Sequence, residues 1–522
     1  MTNHNLYTAL RAGFPADLDT TAIETGDTPV PLHYTWRDLD RGAAMLANLL
    51  DSLSLPPASR IAVHVDKSVE ALMLYLAVLR AGHVYLPLNV AYQHSEMAYF
   101  IGNAEPAVVV CGSRNFGWIS KLAFTGGTRH VYTLDEDRSG TLLARAAHHG
   151  DEHTPAQRSA GDLAAIVYTS GTTGRSKGAM LSHGNLLSNA SVLKTHWGWR
   201  SPSATKAENG AAGDVLIHAL PTFHVHGLFV ASHAALLGGS RTIWFNRFDP
   251  RAITARLPEA TVFMGVPTMY VRLLADAELT RSACEAMRLF ISGSAPLLPE
   301  TFQNWQSRTG HTILERYGMS ETLMLTSNPY RPESARRAGT VGLALPGVGV
   351  RVHDAKGRPL PAGEIGGVEV KGPNVFRGYW RMPERTADDF TTDLWFKTGD
   401  LGILDDEGYL TIVGRSKDLI ISGGYNVYPA EVEGYVNEMP GVAESAVVGV
   451  PHPDFGEAVV AVVVPREGAT VDGATIVAEL KAKIAHFKVP KIVFVDSDLP
   501  RNAMGKVQKA RLRELHKTVF SG

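Results

Sequence analysis

Between Ile166 and Leu186 the chain reads IVYTSGTTGRSKGAMLSHGNL, an apolar run that passes straight into glycines, hydroxyls and a lysine. No other stretch restricts the fold as much. A strand apolar on both faces has to be covered on both faces, which is the situation of a parallel sheet flanked by helices. The loop that leaves it allows close backbone approach at its glycines and can surround an anion with N–H and hydroxyl donors. Three glycines (Gly171, Gly174, Gly178), four hydroxyls (Ser170, Thr172, Thr173, Ser176) and Lys177 behind a buried strand favour phosphate binding over a merely solvated loop. The nucleotide-kinase spacing G-x-x-x-x-G-K-[ST] is absent. Gly174 to Gly178 does match G-x-S-x-G. A nucleophile elbow, however, takes the strand directly into the serine, and here hydroxyl and glycine residues intervene.

The flanking sequence keeps the same rhythm. Helical spacing predicts a helix over Thr35 to Leu53 with Thr35 as N-cap, and a buried helix from Val69 that ends at Gly82. Short apolar runs predict strands at Arg60–Val65, Ala107–Cys111, Leu163–Ser170, Asp214–Leu220, Thr242–Phe245, Thr261–Val266 and Met287–Gly293. Beyond about residue 340 the runs GVRVHD, GEIGGVEVKG and GYLTIVGR are short and glycine-bounded, as in a small β-rich piece. From Arg415 onward helices and strands alternate in a unit of about 100 residues, with Pro429 opening a helix. The expected fold is therefore α/β. Residues 1–414 form a large N-terminal body of parallel sheets with helices plus a β-rich subdomain. Residues 415–522 form a small, mobile C-terminal α+β domain, hinged at the polar segment Gly414–Asp418.

Charge and composition remove other classes. Lys plus Arg number 50 and Asp plus Glu 52, without a basic run, which argues against a nucleic-acid partner. The two cysteines, Cys111 and Cys284, argue against a disulfide framework or a Cys-based zinc site. The best apolar stretch, Ala71 to Leu79, is too short to span a bilayer, and the first residues lack a basic-then-apolar pattern, so a cytoplasmic protein without a membrane partner is expected. His224 and His226 form a His-x-His pair near His218 and His233, but neither acid nor cysteine stands at ligand spacing, which weighs against zinc.

Six further motifs follow the phosphate-type loop in order: PTFHVHG (Pro221–Gly227), GSAPL (Gly293–Leu297), YGMSET (Tyr317–Thr322), TGD (Thr398–Asp400), GRSKDLIISGGYNVYPAEVE (Gly414–Glu433) and PRNAMGKVQK (Pro500–Lys509). Together they resemble the adenylate-forming acyl-CoA synthetase family over about 340 residues. Ser176 stands where that family usually has proline, and Ser320 where it more often has threonine. The resemblance implies ATP, Mg²⁺ and coenzyme A as reaction partners and a two-step reaction. A carboxylate attacks the α-phosphate to give an acyl-adenylate, then a thiol displaces AMP.

Roles follow residue by residue from the resemblance. Lys506 would reach the α-phosphate and the carboxylate. Glu321 would hold Mg²⁺ through a hard oxygen, with Thr172 contributing. Thr169, Ser170, Gly171, Thr172, Thr173, Gly174, Lys177, Ser294, Tyr317, Gly318 and Ser320 would contact ATP. Asp400 would accept the ribose hydroxyls, supported by Arg415. His224 would gate the acyl pocket, Lys417 would be the pivot of the small domain, and Gly423 and Gly424 would let the pantetheine arm pass.

The acid itself is read from the pocket walls. Pro267 is placed to start a helix on which Met269, Arg272 and Leu273 share a face. An inward arginine needs an anion, and its fork suits a carboxylate. The combination GVPTMYVR, RLFISGSAPL, ERYGMSET and TSNPY resembles the malonate-activating branch of the family. There Arg272 would clamp the distal carboxylate, with Ser292 and Ser294 nearby and Met319 in the pocket; Arg316 is the next candidate clamp. Malonate is the expected substrate and methylmalonate a tolerated relative. A short- or medium-chain fatty or aryl acid–CoA ligase is the alternative, with Arg272 turned outward. An amino-acid adenylation domain would want a pocket acid that Val262 and Phe263 do not supply. A non-catalytic nucleotide-binding protein of the same fold is the remaining reading.

Overall fold

The computed structural model describes residues 3–28, 30–169, 176–202, 213–502 and 505–520. They divide into two compact units, residues 1–349 with 371–394, and residues 350–370 with 395–522.

The first unit holds two sheets. In the larger, Thr21–Thr25, Arg241–Trp244, Val215–His218, Val262–Gly265, Leu289–Ser292 and Ile313–Met319 run parallel to their neighbours, while His33–Thr35 at one edge and Leu323–Ser327 and Leu343–Ala344 at the other are antiparallel. In the smaller, His130–Thr133, Val108–Cys111, Arg60–His64, Val84–Pro87 and Leu163–Thr169 are parallel, closed by antiparallel Lys177–Ser182. Val108–Cys111 and Val262–Gly265 are buried along their whole length, as strands with helices on both faces must be. The helix Trp36–Ser52 starts at Thr35, whose hydroxyl accepts from Asp38 N–H while the Asp38 carboxylate accepts in return. Val69–Arg80 is buried throughout and apolar except for Glu70 and Arg80 at its ends. Pro267 opens the helix Pro267–Leu274, where its fixed φ and missing N–H cost nothing.

The motif strand Leu163–Thr169 pairs as a hairpin with Lys177–Ser182, with Thr169 opposite Lys177. The helix His183–His196 begins only after that strand, capped by Ser182.

The second unit contains an antiparallel sheet ordered Gly349–His353, Gly366–Lys371, Phe396–Leu404, Leu410–Arg415. Its other sheet joins Tyr425–Val427, Ile420–Ser422, Gly456–Pro465 and Val442–His452, with Ile492–Val495 added in parallel to Gly456–Pro465. The helices Pro429–Asn437 and Gly473–Lys483 pack Val432, Val436, Ile476 and Leu480 against Val447, Val459, Ala461 and Val463. The segment expected to be a hinge lies within this unit, between its two sheets. Arg415, Ser416 and Lys417 are exposed there, and Ser416–Asp418 is a single 3₁₀ turn.

Candidate active site

Two groups of expected site residues occur, one on each unit.

On the first unit the motif hairpin sits beside YGMSET. Ser170, Gly171, Thr172, Thr173 and Gly174 lie outside the described residues; the residues that frame them are described. Thr169 Oγ1 donates to Glu321 Oε1 at 3.5 Å, and the Tyr379 hydroxyl donates to the same oxygen at 3.2 Å. Tyr379 reaches this place because Arg377–Trp380 adds to the edge of Lys177–Ser182: Met180 N–H donates to Gly378, Arg377 N–H to Met180 and Trp380 N–H to Gly178. Lys177 Nζ lies 4.1 Å from the Tyr379 ring centre and 3.4 Å from Asp389. Burial raises the Tyr379 phenol, and Glu321 and Asp389 raise it further, so it stays a hydrogen-bond donor. Lys177, Asp389, Tyr379 and Glu321 thus form one connected polar chain. Glu321 is 5% exposed, a hard-oxygen donor oriented by two hydroxyls, which fits a divalent cation that keeps water and phosphate as its other ligands.

Backbone geometry fixes the neighbouring residues. Ile313–Met319 and Leu323–Ser327 pair so tightly that a Cβ at Gly318 would lie 1.9 Å from the Leu323 carbonyl oxygen, so glycine is required there. Tyr317, Met319 and Ser320 are half-buried on this hairpin. Ser294, just beyond Leu289–Ser292, holds φ at +72°, an uncommon conformation for a residue with a side chain.

The histidines are mostly bound into the framework. His218 Nε2 faces the Gly227 carbonyl at 3.0 Å and Ser232 Oγ at 3.1 Å, and Lys67 Nζ faces His218 Nδ1 at 2.9 Å. Lys67 also donates to the His218 and Phe245 carbonyls, so its ammonium is satisfied. His233 Nε2 lies 2.8 Å from the Tyr75 hydroxyl. These bonds hold the π-helical turn His226–Ser232, which begins inside PTFHVHG. His224 is half-buried, and its Nδ1 accepts from His226 N–H at 3.3 Å. His226 is buried, with Nδ1 3.4 Å from Ser294 Oγ.

The helix Pro267–Leu274 buries Tyr270 and Leu273, half-buries Met269 and leaves Thr268, Val271 and Arg272 exposed. Arg272, expected to turn inward with Met269 and Leu273, is exposed instead, and among the described residues it makes no ion pair. Ser292 is buried.

On the second unit Asp400 and Arg415 are directly opposite on paired strands, and Arg415 Nε lies 2.7 Å from Asp400 Oδ1. Asp400 is 3% exposed and its N–H donates to Thr398 Oγ1, so TGD and GRSKD form one element. Gly423 and Gly424 have φ of +58° and +82° between Ile420–Ser422 and Tyr425–Val427, the signature of a type I′ hairpin turn. A Cβ on Gly424 would meet open space, so conformation rather than crowding calls for glycine there. Lys506 is exposed at a tight loop: its N–H donates to Asn502 Oδ1, its carbonyl accepts from Asn502 N–H, and Gly505 sits at φ +73°.

Sequence reasoning missed Tyr379 and Asp389. They lie about 200 residues from Lys177, and nothing in GYW distinguishes a site tyrosine from a core one.

Both halves match a known architecture. Residues 18–380 match the model of the AMP-binding enzyme family and residues 431–506 that of the AMP-binding enzyme C-terminal domain, and the chain belongs to this family. Among curated relatives, a malonate–CoA ligase of Arabidopsis thaliana is 34% identical over 87% of this chain and 78% of its own length. A feruloyl-CoA synthase of Amycolatopsis is 33% identical over 94% of this chain and 95% of its own. The crystal structure of ATP-bound MatB from Rhodopseudomonas palustris is 50% identical, covers 99% of this chain and 100% of that one, and superposes with a TM-score of 0.94.

Proposed function

We propose that this chain ligates malonate to coenzyme A at the expense of ATP, through malonyl-adenylate, giving malonyl-CoA, AMP and pyrophosphate. The observation that carries the choice of acid is its likeness to malonate–CoA ligases along most of the chain. Arg272 is exposed on the helix Pro267–Leu274, so its role as the clamp rests on the resemblance and not on an inward position.

In the first half-reaction a malonate carboxylate oxygen attacks the α-phosphorus and pyrophosphate leaves. Charge builds on the phosphoryl oxygens, and fixed cations and N–H donors lower that barrier. Lys506 neutralises charge at the α-phosphate and the attacking carboxylate. The loop 170–174, with Lys177, cradles phosphate; Tyr317 and Gly318 flank the base, Ser294 and Ser320 contact the nucleotide, and Asp400 with Arg415 holds the ribose. Glu321, oriented by Thr169 and Tyr379, would hold Mg²⁺ together with Thr172. The ion supplies charge neutralisation on the phosphates when bound. In the second half-reaction the thiolate of coenzyme A attacks the acyl carbon and AMP leaves. Lys417 is the pivot between the two arrangements, about which residues 415–522 turn as a mobile domain against 1–414. The Gly423–Gly424 turn passes the pantetheine arm, His224 gates the acyl side, and Arg272 meets the distal carboxylate with Ser292, Ser294 and Met319 around it. A reducing, cytoplasmic setting belongs to the same proposal, supported by Cys111 and Cys284 being free and buried.

The feruloyl-CoA synthase relative keeps an aryl acid as the second reading. Pyrophosphate release with ATP and Mg²⁺ across malonate, methylmalonate, acetate, octanoate and an aryl acid decides between them. Malonate is expected to lead, with methylmalonate next. An aryl acid or octanoate in front would overturn malonate, and ATP binding without pyrophosphate release from any acid would overturn catalysis.

A further inference from the structure

Lys67 ties the two sheets of the first unit together. It follows the strand Arg60–His64 of the smaller sheet and precedes Ser68, the cap of the helix Val69–Arg80. Its ammonium meets three acceptors at the ends of two strands of the larger sheet: His218 Nδ1 at 2.9 Å, the His218 carbonyl at 2.8 Å and the Phe245 carbonyl at 2.7 Å. Trp244, opposite His218 in that sheet, packs its ring against the ammonium with its centre 4.2 Å from Nζ. His64, His218 and Trp244 all stand at the carboxyl ends of parallel strands, the edge at which α/β sheets place their ligands.

The geometry fixes the His218 tautomer. Its Nε2 faces the Gly227 carbonyl at 3.0 Å, and a carbonyl only accepts, so the ring proton is on Nε2. Nδ1 then carries the lone pair and accepts from Lys67. Burial works against the charge on Lys67, yet a neutral amine has two N–H donors and could not serve all three acceptors. The Gly227 carbonyl also accepts from Ser232 Oγ at 3.0 Å. Gly227 and Ser232 are the second and last residues of the turn His226–Ser232, whose π-helical form is rare and recurs at functional sites. The loop that carries His224 closes on the same residue. A Cβ at Gly227 would lie 2.2 Å from the Pro221 carbonyl oxygen, and the His224 carbonyl accepts from Leu228 N–H at 3.0 Å.

We infer that Lys67 is a positioning residue for the acyl side of the site: through His218 and the Gly227 carbonyl it holds the loop Pro221–Gly227 in the form that presents His224. The inference rests on the reading of His224 as the gate of the acyl pocket and deepens it. The ammonium does two things at once. It supplies three donors from one point to acceptors on two strands, which a planar guanidinium fork does not reproduce. It also forbids a second proton on His218, since an Nδ1–H would face a cation, so the loop keeps one hydrogen-bonding state.

The test uses the full chain as wild type, Lys67→Met, Lys67→Arg, His224→Ala and the double variant Lys67→Met with His224→Ala. Pyrophosphate release gives KM for malonate and for ATP. Nitrogen spectra of ¹⁵N-histidine protein report the His218 tautomer, its signals identified by their loss in His218→Gln. The wild type is expected to show a neutral His218 with its proton on Nε2. Lys67→Met is expected to raise KM for malonate about 10-fold, the effect of a slightly displaced group, while KM for ATP stays within about twofold. Lys67→Arg keeps the charge and is expected to raise KM for malonate only about threefold. Because Lys67 acts through His224, the double variant is expected to be no worse than His224→Ala. The inference is overturned by an Nδ1–H form in the wild type, by a wild-type KM for malonate in Lys67→Met, by equal rises for malonate and ATP, or by losses that add in the double variant. Should Lys67→Met not fold, Lys67→Gln, whose amide serves two of the three acceptors, takes its place in the same comparisons. Wild-type kinetics in His224→Ala would sink the gate reading itself; an impaired His224→Ala beside an unimpaired Lys67→Met would sink the inference alone.

Discussion

The two groups of site residues differ in how they are held. On the first unit Glu321, Tyr379, His226 and Arg316 are buried, and hydrogen bonds or close packing fix their positions. On the second unit Lys417, Gly423, Gly424 and Lys506 lie on turns: a 3₁₀ turn, a type I′ hairpin and a short loop. Only Asp400, tied to Arg415, is buried there. Stabilising charge at phosphorus and recognising a small acid demand groups set before the substrate arrives, because reorganising dipoles during reaction costs catalysis. In the proposed mechanism a lysine serves one half-reaction and a thiol the next, which would call for groups that can be carried to and fro. On that proposal the first unit would supply preorganised groups and the second the delivered ones.

Lys506→Ala should break that division most visibly. Formation of the acyl-adenylate, followed by pyrophosphate release, is expected to fall on the order of 10²–10³, the usual loss for one oriented electrostatic donor. Thioester formation from supplied malonyl-adenylate should fall far less, since no charge builds at phosphorus in that step. Equal losses in both assays would remove Lys506 from its role. Lys417→Pro should separate the steps the other way. Proline fixes φ in the turn Ser416–Asp418. Adenylate should form at near-normal rate and accumulate, while malonyl-CoA formation drops about tenfold or more. Normal malonyl-CoA output would show that the pivot is elsewhere.

How far the chain could be read in advance follows the same division. Parallel strands such as Val108–Cys111 and Val262–Gly265 announce themselves as apolar runs, and Thr35, Pro267 and Pro429 mark helix starts, because the physics is local. The return strand Lys177–Ser182 was not legible: KGAMLS carries no periodicity, and its pairing depends on Leu163–Thr169 and on Arg377–Trp380 far along the chain. Glu321 was singled out by its motif, whereas Tyr379, whose hydroxyl donates to it, was not. Arg316 was visible as an arginine, but its burial and lack of partner depend on Gly293 and on packing that no spacing reveals. The turn glycines Gly423 and Gly424 were picked out for their small size, yet their positive φ explains them first.

Tyr379→Phe sharpens the preorganised side with a smaller effect. It removes one hydrogen bond to Glu321 and leaves the ring beneath Lys177. A lost bond to a charged group is worth about 1.5–3 kcal/mol, tempered here by the 3.2 Å length, so a 5- to 20-fold loss in adenylation is expected. The loss should shrink as Mg²⁺ is raised, since a less oriented carboxylate binds the ion more weakly. Magnesium titrations identical to wild type would mean that Tyr379 serves packing alone.

The smallest expected effect is on stability, and it tests whether the inner strand is as buried as its geometry says. Glu315 is buried beside Arg316 in sequence, with the Gly339 N–H at 3.3 Å from its Oε1. Burial raises its carboxyl from the ordinary value to about 8. Between the unfolded value, near 4.5, and about 8, the native state holds a proton that the unfolded chain has released. Stability from this group is therefore full below pH 4.5 and is lost as pH rises through 8. His83 and His183 oppose this at lower pH, because burial depresses both to about 4, so their contribution falls as pH drops below about 6.5. Above that pH they are neutral in both states, and the carboxyl acts alone among these three. From pH 6.5 to 8.5 Glu315 should cost the fold about 2 kcal/mol, at 1.4 kcal/mol per pH unit until its own titration levels off. Glu315→Gln keeps the shape and cannot ionise. Its melting temperature should therefore gain on wild type by a few degrees across that window, and parallel curves for the two proteins would show that Glu315 is better solvated than its position implies.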